Sequence, residues 1–394
     1  MFHFQAAPPL SLYIHFPWCV RKCPYCDFNS HAVKDELPQK DYIDALLCDL
    51  EQELPRIWGR RVSSVFLGGG TPSLFDPEHM DRLLGSVRAL LSLNPDAEIT
   101  LEANPGTLAV PGEHNRFAEY RDAGINRVSL GIQSFDERML QRLGRVHTSS
   151  EAHAAIELLQ RSGFSNYNLD LMHGLPGQSE AQALRDLAIA MDYQPPHLSW
   201  YQLTIEPNTA YHASPPALPD EDQLAAIQDR GTHLLIGHGY QHYEVSAWAR
   251  EAAQCRHNLN YWRFGDYLGI GAGAHDKITN VPEQTITRRW KQKHPIRYLE
   301  TASGHDAVGG ERVLSRDDAA FEFMLNALRL VDGFPTALFG ERTGLPILMV
   351  QPQLEAAVAR GWLEWDTFHL RPTEHGQHFL NDLVGLFLPD DHAA

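Results

Sequence analysis

Seven short β-rich runs recur along the chain, and stretches with helical spacing follow them. The runs are SLYIHF from Ser11, SVFLGGG from Ser64, EITLEANP from Glu98, RVSLGIQSF from Arg127, YNLDLMHGLPG from Tyr167, LSWYQLTIEP from Leu198 and YEVSAWA from Tyr243. Between them stand DYIDALLCDLEQEL, HMDRLLGSVRALL, EAHAAIELLQRSG and AQALRDLAIAMD, each amphipathic at helical spacing. Strand then helix, repeated about six times, leaves few architectures: parallel strands joined by right-handed crossovers. The predicted fold class is α/β, a partial or complete (β/α) barrel. Gly, Pro and polar residues cluster after the strands, as GGGTPS, EANPG, GIQSF, HGLPG and TIEPNT. In a β/α barrel those C-terminal strand ends build the active site.

The rhythm stops near Val281. AAFEFMLNALRL from Ala319 reads as a helix, PILMVQPQLEAAVARG as one or two more, and the stretch from Gly361 as a two-stranded ribbon and a final helix. Helices with a small β wing are winged-helix-like, so the expected division is a barrel over residues 1–280 and a C-terminal domain over 281–394. The charge balance, 33 Lys+Arg against 50 Asp+Glu for a net of -17, disfavours general binding to nucleic acid or anionic lipid. The basic patch RRWKQKH (Arg288–His294) reads as a solvated surface loop, and the C-terminal module as a lid or docking unit rather than a DNA reader. No apolar run approaches the ~18 residues of a membrane span. MFHFQAAPPLSLYIHFP lacks the basic start and long apolar core of a signal peptide. The expectation is a cytoplasmic protein, not integral to a membrane, with reduced thiols.

PWCVRKCPYCDFNSH, from Pro17, concentrates three of the five cysteines, Cys19, Cys23 and Cys26, in one loop. The loop follows the strand YIHF, so it belongs at the active-site rim. The compartment and the odd number argue against disulfides. Thiolates are soft donors, which leaves zinc or an iron–sulfur cluster. Structural zinc would need a fourth ligand, with His31 and His15 as candidates, and there is no second C-x2-C pair. An iron–sulfur cube can take its fourth ligand from outside the protein; C-x3-C-x2-C would hold three irons and leave the fourth open. Cys48, inside the first amphipathic helix, and Cys255 read as free thiols.

A C-x3-C-x2-C loop after the first strand, with the glycine run Gly68, Gly69 and Gly70 after the second, resembles the radical S-adenosylmethionine (SAM) superfamily. The resemblance implies a radical SAM type barrel. It also implies a [4Fe–4S] cluster with Cys19, Cys23 and Cys26 as its three protein ligands and exchangeable SAM on the open iron. Tyr25, the aromatic residue between the last two cysteines, fits the family. YIHFPWCVRKCPYCDFNSH, FLGGGTPS, EANPG, RVSLGIQSF, NLDLMHGLPGQ and YQLTIEPNT together resemble the oxygen-independent coproporphyrinogen III oxidase-like branch, as does the C-terminal module. Carried over residue by residue, the implied SAM contacts are Tyr13, Gly69, Gly70, Thr71, Glu102, Gln133, Arg145 and Asp170. Their chemistry suits the task. Carboxylates accept from ribose hydroxyls or an ammonium, Arg145 can pair with a carboxylate, and Gln133 both donates and accepts. Glycine lets backbone approach a cofactor without a Cβ in the way.

Two activities are known in this branch: an oxidase that decarboxylates two propionates of coproporphyrinogen III, and heme chaperones that bind heme and pass it on. Phe28 stands where the oxidase usually carries a fourth cysteine. Cys19 lies almost at the start, without the oxidase's longer N-terminal extension. HNLNYW (His257–Trp262) matches the chaperones' HNxxYW heme motif, although GAGAHD from Gly271 departs from the relatives' pattern. Heme asks for an axial donor, usually imidazole, and flat apolar walls. On a helical turn His257 and Tyr261 share a face; Trp262 can stack on the macrocycle, and Asn258 can orient a ligand or cap a turn. The expected function is a heme chaperone on a [4Fe–4S] and SAM scaffold, with the oxidase as the alternative and no residue assigned a catalytic role. The implied partners are heme, heme-acceptor proteins with membrane-bound respiratory enzymes as candidates, and an electron donor, but no nucleic acid.

Overall fold

A computed structural model describes residues 1–107 and 115–389. Six parallel strands follow one another in chain order and pair neighbour to neighbour: β1 Leu10–Phe16, β2 Arg61–Gly69, β3 Ser92–Ala103, β4 Arg127–Gln133, β5 Tyr167–His173 and β6 His197–Gln202. Helices Gln39–Glu53, Pro77–Leu90, Arg116–Asp122, Ser149–Arg161 and Glu180–Asp192 lie in the successive crossovers. Local chemistry starts them. Pro77 occupies the first turn of its helix, and Thr148 with Glu151 and Ser179 with Gln182 form capping boxes.

The strands alternate with period two. One parity is aliphatic and packs outward under the helices: Leu12 and Ile14, Val65 and Leu67, Val128 and Leu130, Leu169 and Leu171 are all fully buried in one core. The other parity is largely polar and meets inside the barrel. Ser64 bonds Ser11, Asn168 bonds Ser129 and Asp170, and His197 bonds Asn168. The barrel interior is thus a buried polar funnel that leads up to the strand ends.

The seventh run does not add a parallel strand. YEVSAWA breaks into β7 Gln241–Glu244 and β8 Ala247–Ala249, an antiparallel hairpin whose second strand runs antiparallel to β6. Two residues cannot make a parallel crossover, which takes a dozen or more. At the opposite edge an unanticipated strand, β9 Asp266–Ile270, joins β1 in parallel. Three antiparallel strands then extend the sheet: β10 His275–Asn280, β11 Thr285–Lys291 and β12 Val308–Val313. The division expected at residues 280 and 281 therefore falls between β10 and β11, which pair along their whole length.

Beyond β12, helices Arg316–Ala327, Ala337–Thr343 and Gln351–Ala359 pack with a small antiparallel sheet of three strands, where a two-stranded ribbon was expected. Phe323, Phe334 and Phe339 centre this second core, and Phe2, Phe4, Phe264 and Ile286 reach into it from the barrel side. The basic patch is not a solvated loop. Arg288 to Lys291 lie in β11, where Lys291 is buried between Asp49 (2.5 Å) and Glu53 (2.6 Å), and Arg288 pairs with Glu322 (2.5 Å). Buried cations need such partners. Among the described residues no helix is long and apolar enough to cross a membrane.

Candidate functional site

The C-terminal ends of the strands surround a cavity of about 580 Å³. The cysteine loop closes one side of it. A short parallel pairing of Trp18–Cys19 with His31–Ala32 ties the two ends of the loop together. Arg21 pins it to the carbonyls of Gly144 (2.5 Å) and Arg145 (3.2 Å), and Asn29 pins it to those of Ala272 and Lys293 (both 2.9 Å). Cys19, Cys23 and Cys26 all line the cavity as free, half-buried thiols. Burial raises the thiols of Cys19 and Cys26 above the ordinary value, whereas binding to iron would hold them as thiolates. Three thiols on one cavity are soft donors of the kind an iron–sulfur cube takes, while among the described residues no three metal-ligating side chains stand close enough to hold a single metal ion. His15 is not free to serve as a zinc ligand: one ring nitrogen bonds Tyr13 Oη and the other the Asn29 carbonyl, both at 2.9 Å. The ring of His31 packs on His294, 5.5 Å between centroids.

The residues that the resemblance assigns to SAM mostly share this cavity. Gly69, Gly70, Thr71, Glu102, Gln133, Arg145 and Asp170 line it, with Tyr25 beside the cysteines. Tyr13 does not; it lies beneath, bonded to His15 and packed against Phe66 at 6.3 Å. Gly69 adopts φ +111°, and a Cβ there would stand 2.4 Å from the His15 ring. At Gly70 a Cβ would meet the Trp18 carbonyl at 2.5 Å. The chain's own packing on β1 and on Trp18 just after it thus already demands both glycines.

Two carboxyls sit at the floor. Glu102 accepts the Gly69 N–H at 3.0 Å; burial, then the neighbouring Asp170, pushes it up to about 8. Asp170 is also raised by burial, and it accepts from Ser129 Oγ (2.9 Å) and Asn168 Nδ2 (2.7 Å). Opposite them, Gln133 holds a left-handed backbone, φ +69°, and accepts from Tyr201 Oη at 2.9 Å. Arg145 donates to the Gly131 carbonyl at 2.8 Å and to Cys23 Sγ at 3.8 Å, while its buried Nε–H finds no acceptor among the described residues. A buried donor left without a partner is costly, so the site gains from a ligand acceptor. The cavity thus gathers hydrogen-bond donors, carboxyls and soft thiol donors in one lining.

HNLNYW forms the last six residues of a short helix, Arg256–Trp262, whose two faces part company. Glu98 caps its start, accepting the backbone N–H of Arg256 (3.2 Å) and of His257 (3.1 Å) as well as the Cys255 thiol (3.5 Å). Cys255 is therefore part of an internal bond, not an idle thiol. His257 and Tyr261 do share a face, with ring centroids 5.2 Å apart. That face turns to the barrel wall, not to the cavity. His257 Nδ1 bonds Ser64 Oγ at 3.0 Å, its ring stacks on Phe66 at 4.8 Å, and Tyr261 stacks on Tyr267 at 4.1 Å. Burial, with the nearby Arg127 charge, lowers His257 to about 3 and keeps it neutral. Asn258 and Trp262, on the other face, line the same cavity as the cysteines, and the Arg329 guanidinium lies 4.4 Å over the Trp262 ring.

Sequence reasoning missed Tyr201, Glu244 and Arg329, which also line the cavity. Tyr201 had a signal, its inward parity on the strand LSWYQL. Glu244 and Arg329 carry none, because they come from segments that only the tertiary fold brings together.

The chain matches the model of the radical SAM superfamily over residues 13–188 and that of the HemN C-terminal domain over residues 314–379. It is 51% identical over 388 residues to the heme chaperone HemW of Escherichia coli strain K12, covering 97% of this chain and 99% of the relative. It is 36% identical over 387 residues to the heme chaperone HemW of Mycobacterium tuberculosis strain H37Rv, covering 96% and 95%. In structure it resembles the coproporphyrinogen III oxidase HemN of Escherichia coli, with a TM-score of 0.81 at 23% identity over 97% of this chain and 90% of that one. At that identity the likeness speaks to the fold.

Proposed function

Because the chain belongs to the HemW family of the radical SAM superfamily, we propose that it binds heme and hands it to acceptor proteins, with a [4Fe–4S] cluster and SAM held in the same cavity. The family implies SAM and the cluster. Cys19, Cys23 and Cys26 are the ligands we assign to the cluster, and Gly69, Thr71, Glu102, Gln133, Arg145 and Asp170 the residues we assign to SAM. When bound, that pair supplies one-electron reductive cleavage chemistry. The chain's own part is to hold and orient: Arg145 steadies the Cys23 side, and Glu102 and Asp170 offer carboxyls to hydroxyl or ammonium donors. The observation that carries the reading is that one cavity is lined both by the three thiols and by Trp262 and Asn258 of the HNLNYW helix.

Axial ligation falls to His257 in this proposal. Its burial enforces a neutral imidazole, the form that binds metal. To reach a heme the ring must leave the Ser64 bond and the Phe66 stack. Loaded protein then hands its cargo to acceptors, membrane-bound respiratory enzymes among the candidates, from a cytoplasmic location. Phe28 stands at the cavity mouth where the oxidase branch has a cysteine, so coproporphyrinogen III should yield no decarboxylated product.

Anaerobic titration with heme tests this. The wild type should give a saturable Soret band. His257→Ala should weaken or shift it while iron and sulfide content stay unchanged. Trp262→Ala should cost about 1 kcal/mol of affinity, since a stacking contact is lost and no metal bond. A His257→Ala variant with the wild-type spectrum and affinity would remove the residue-level basis of the proposal.

A further inference from the structure

The part of the cavity lined by Glu244, Trp262 and Arg329 contains polar groups that do not satisfy one another. Glu244, in β7, is 4% exposed, and among the described residues its Oε2 has no hydrogen-bond partner. Arg329 approaches it from beyond the helix Arg316–Ala327, but the closest separation, from Arg329 Nη2 to Glu244 Oε2, is 3.9 Å, too long for a hydrogen bond. Among the described residues the Nε–H of Arg329 is buried without an acceptor, as is the Nε1–H of Trp262, the ring on which the guanidinium lies. The Arg329 side chain nevertheless keeps 31% of its surface exposed. All three residues line the cavity.

Resting on the heme-chaperone reading, we propose that Arg329, set by Glu244 and stacked on Trp262, is the carboxylate-binding end of this cavity and takes a propionate of the tetrapyrrole cargo. The 3.9 Å separation from Glu244 leaves the guanidinium, 31% exposed on the cavity, without a hydrogen-bonded anion among the described residues. The planar guanidinium presents its donors as a fork that matches a carboxylate. Glu244 supports the cation rather than the ligand. Desolvation works against the Arg329 charge and the Glu244 carboxylate works for it. The long ion pair leaves the fork free to engage a third group. Two carboxylates could come here, a propionate of the cargo or the methionine carboxylate of SAM. Position favours the first: Arg329 touches the tryptophan of HNLNYW, whereas Arg145 is the arginine bonded beside Cys23. The chemistry is recognition only, with no bond made or broken.

The experiment compares iron protoporphyrin IX with its dimethyl ester, which keeps the ring and the iron and removes both carboxylates. Affinities for both ligands, and for SAM, are measured in wild type, Arg329→Gln and Arg329→Lys. The wild type should prefer the free diacid by about 10-fold or more, the worth of a hydrogen bond to a charged group. Arg329→Gln should bring the two porphyrins together by weakening only the diacid, and leave SAM affinity unchanged. Arg329→Lys, which keeps the charge without the fork, should retain part of the preference. A wild-type preference that survives in Arg329→Gln overturns the assignment. So does a loss confined to SAM, which would make the bound carboxylate the methionine's. A wild type that binds neither porphyrin removes the heme-chaperone reading itself, and this inference with it.

Discussion

At the scale of single residues, Glu102 is a buried carboxyl on the cavity whose charge is set by its surroundings. Its folded value is about 8 against an ordinary 4.5. Between those values the folded protein holds a proton that the unfolded chain has released. Stability of the ligand-free protein should therefore fall as pH rises through that window, by on the order of 5 kcal/mol for the full shift. Glu102→Gln should flatten this part of the stability profile, read as melting temperature against pH. An unchanged slope in the variant would mean that Glu102 is already ionised in the empty protein. The residue scale is also where the sequence was most legible. Cys19, Cys23, Cys26, Glu102, Gln133 and Arg145 were all marked by motif, and they do meet in one cavity. Tyr13, His257 and Tyr261 were marked by the same kind of signal but face a wall instead. A motif fixes residue types and spacing; it does not say which face of a seven-residue helix meets the cavity.

At the scale of elements, Glu98 joins the barrel to the HNLNYW helix. It lies four residues before Glu102 on β3, so both point inward, and its carboxylate caps the helix while the Cys255 thiol donates to it. Glu98→Ala would leave two backbone N–H groups without their acceptor. It should destabilise the protein by about 2–3 kcal/mol in chemical denaturation and still permit iron loading of the cysteine loop, because the cap lies outside that loop. A variant as stable as wild type would show that the cap contributes nothing. The period-two code explains what was and was not readable among the strands. RVSLGIQ and YNLDLMH alternate polar and apolar residues, and each became a strand with a polar inner face. YEVSAWA carries the same code, but pairing direction depends on loop length, and two residues allow only a hairpin. DYLGI is short and lies between a helix and a turn; its strand identity comes from pairing with β1, a contact far away in sequence.

At the scale of the whole molecule, the cavity has two owners. The barrel supplies the thiols and carboxyls, and the segment leading out of the helix Arg316–Ala327 supplies Arg329 against Trp262. The C-terminal module is more than a cover, since its second core includes Phe2 and Phe4 from the start of the chain and Phe264 just after the HNLNYW helix. On the proposed reading, one space lined by both parts of the chain takes cargo and cofactor together. Release is as necessary to a chaperone as binding, and it separates that role from the role of an enzyme that retains a prosthetic group. The most direct test loads the anaerobically reconstituted protein with heme, mixes it with excess apomyoglobin and follows the Soret band. The account predicts saturable loading near one heme per chain, followed by conversion to the holomyoglobin spectrum. Protein that takes up no heme saturably, or that keeps it against the excess acceptor, would contradict it.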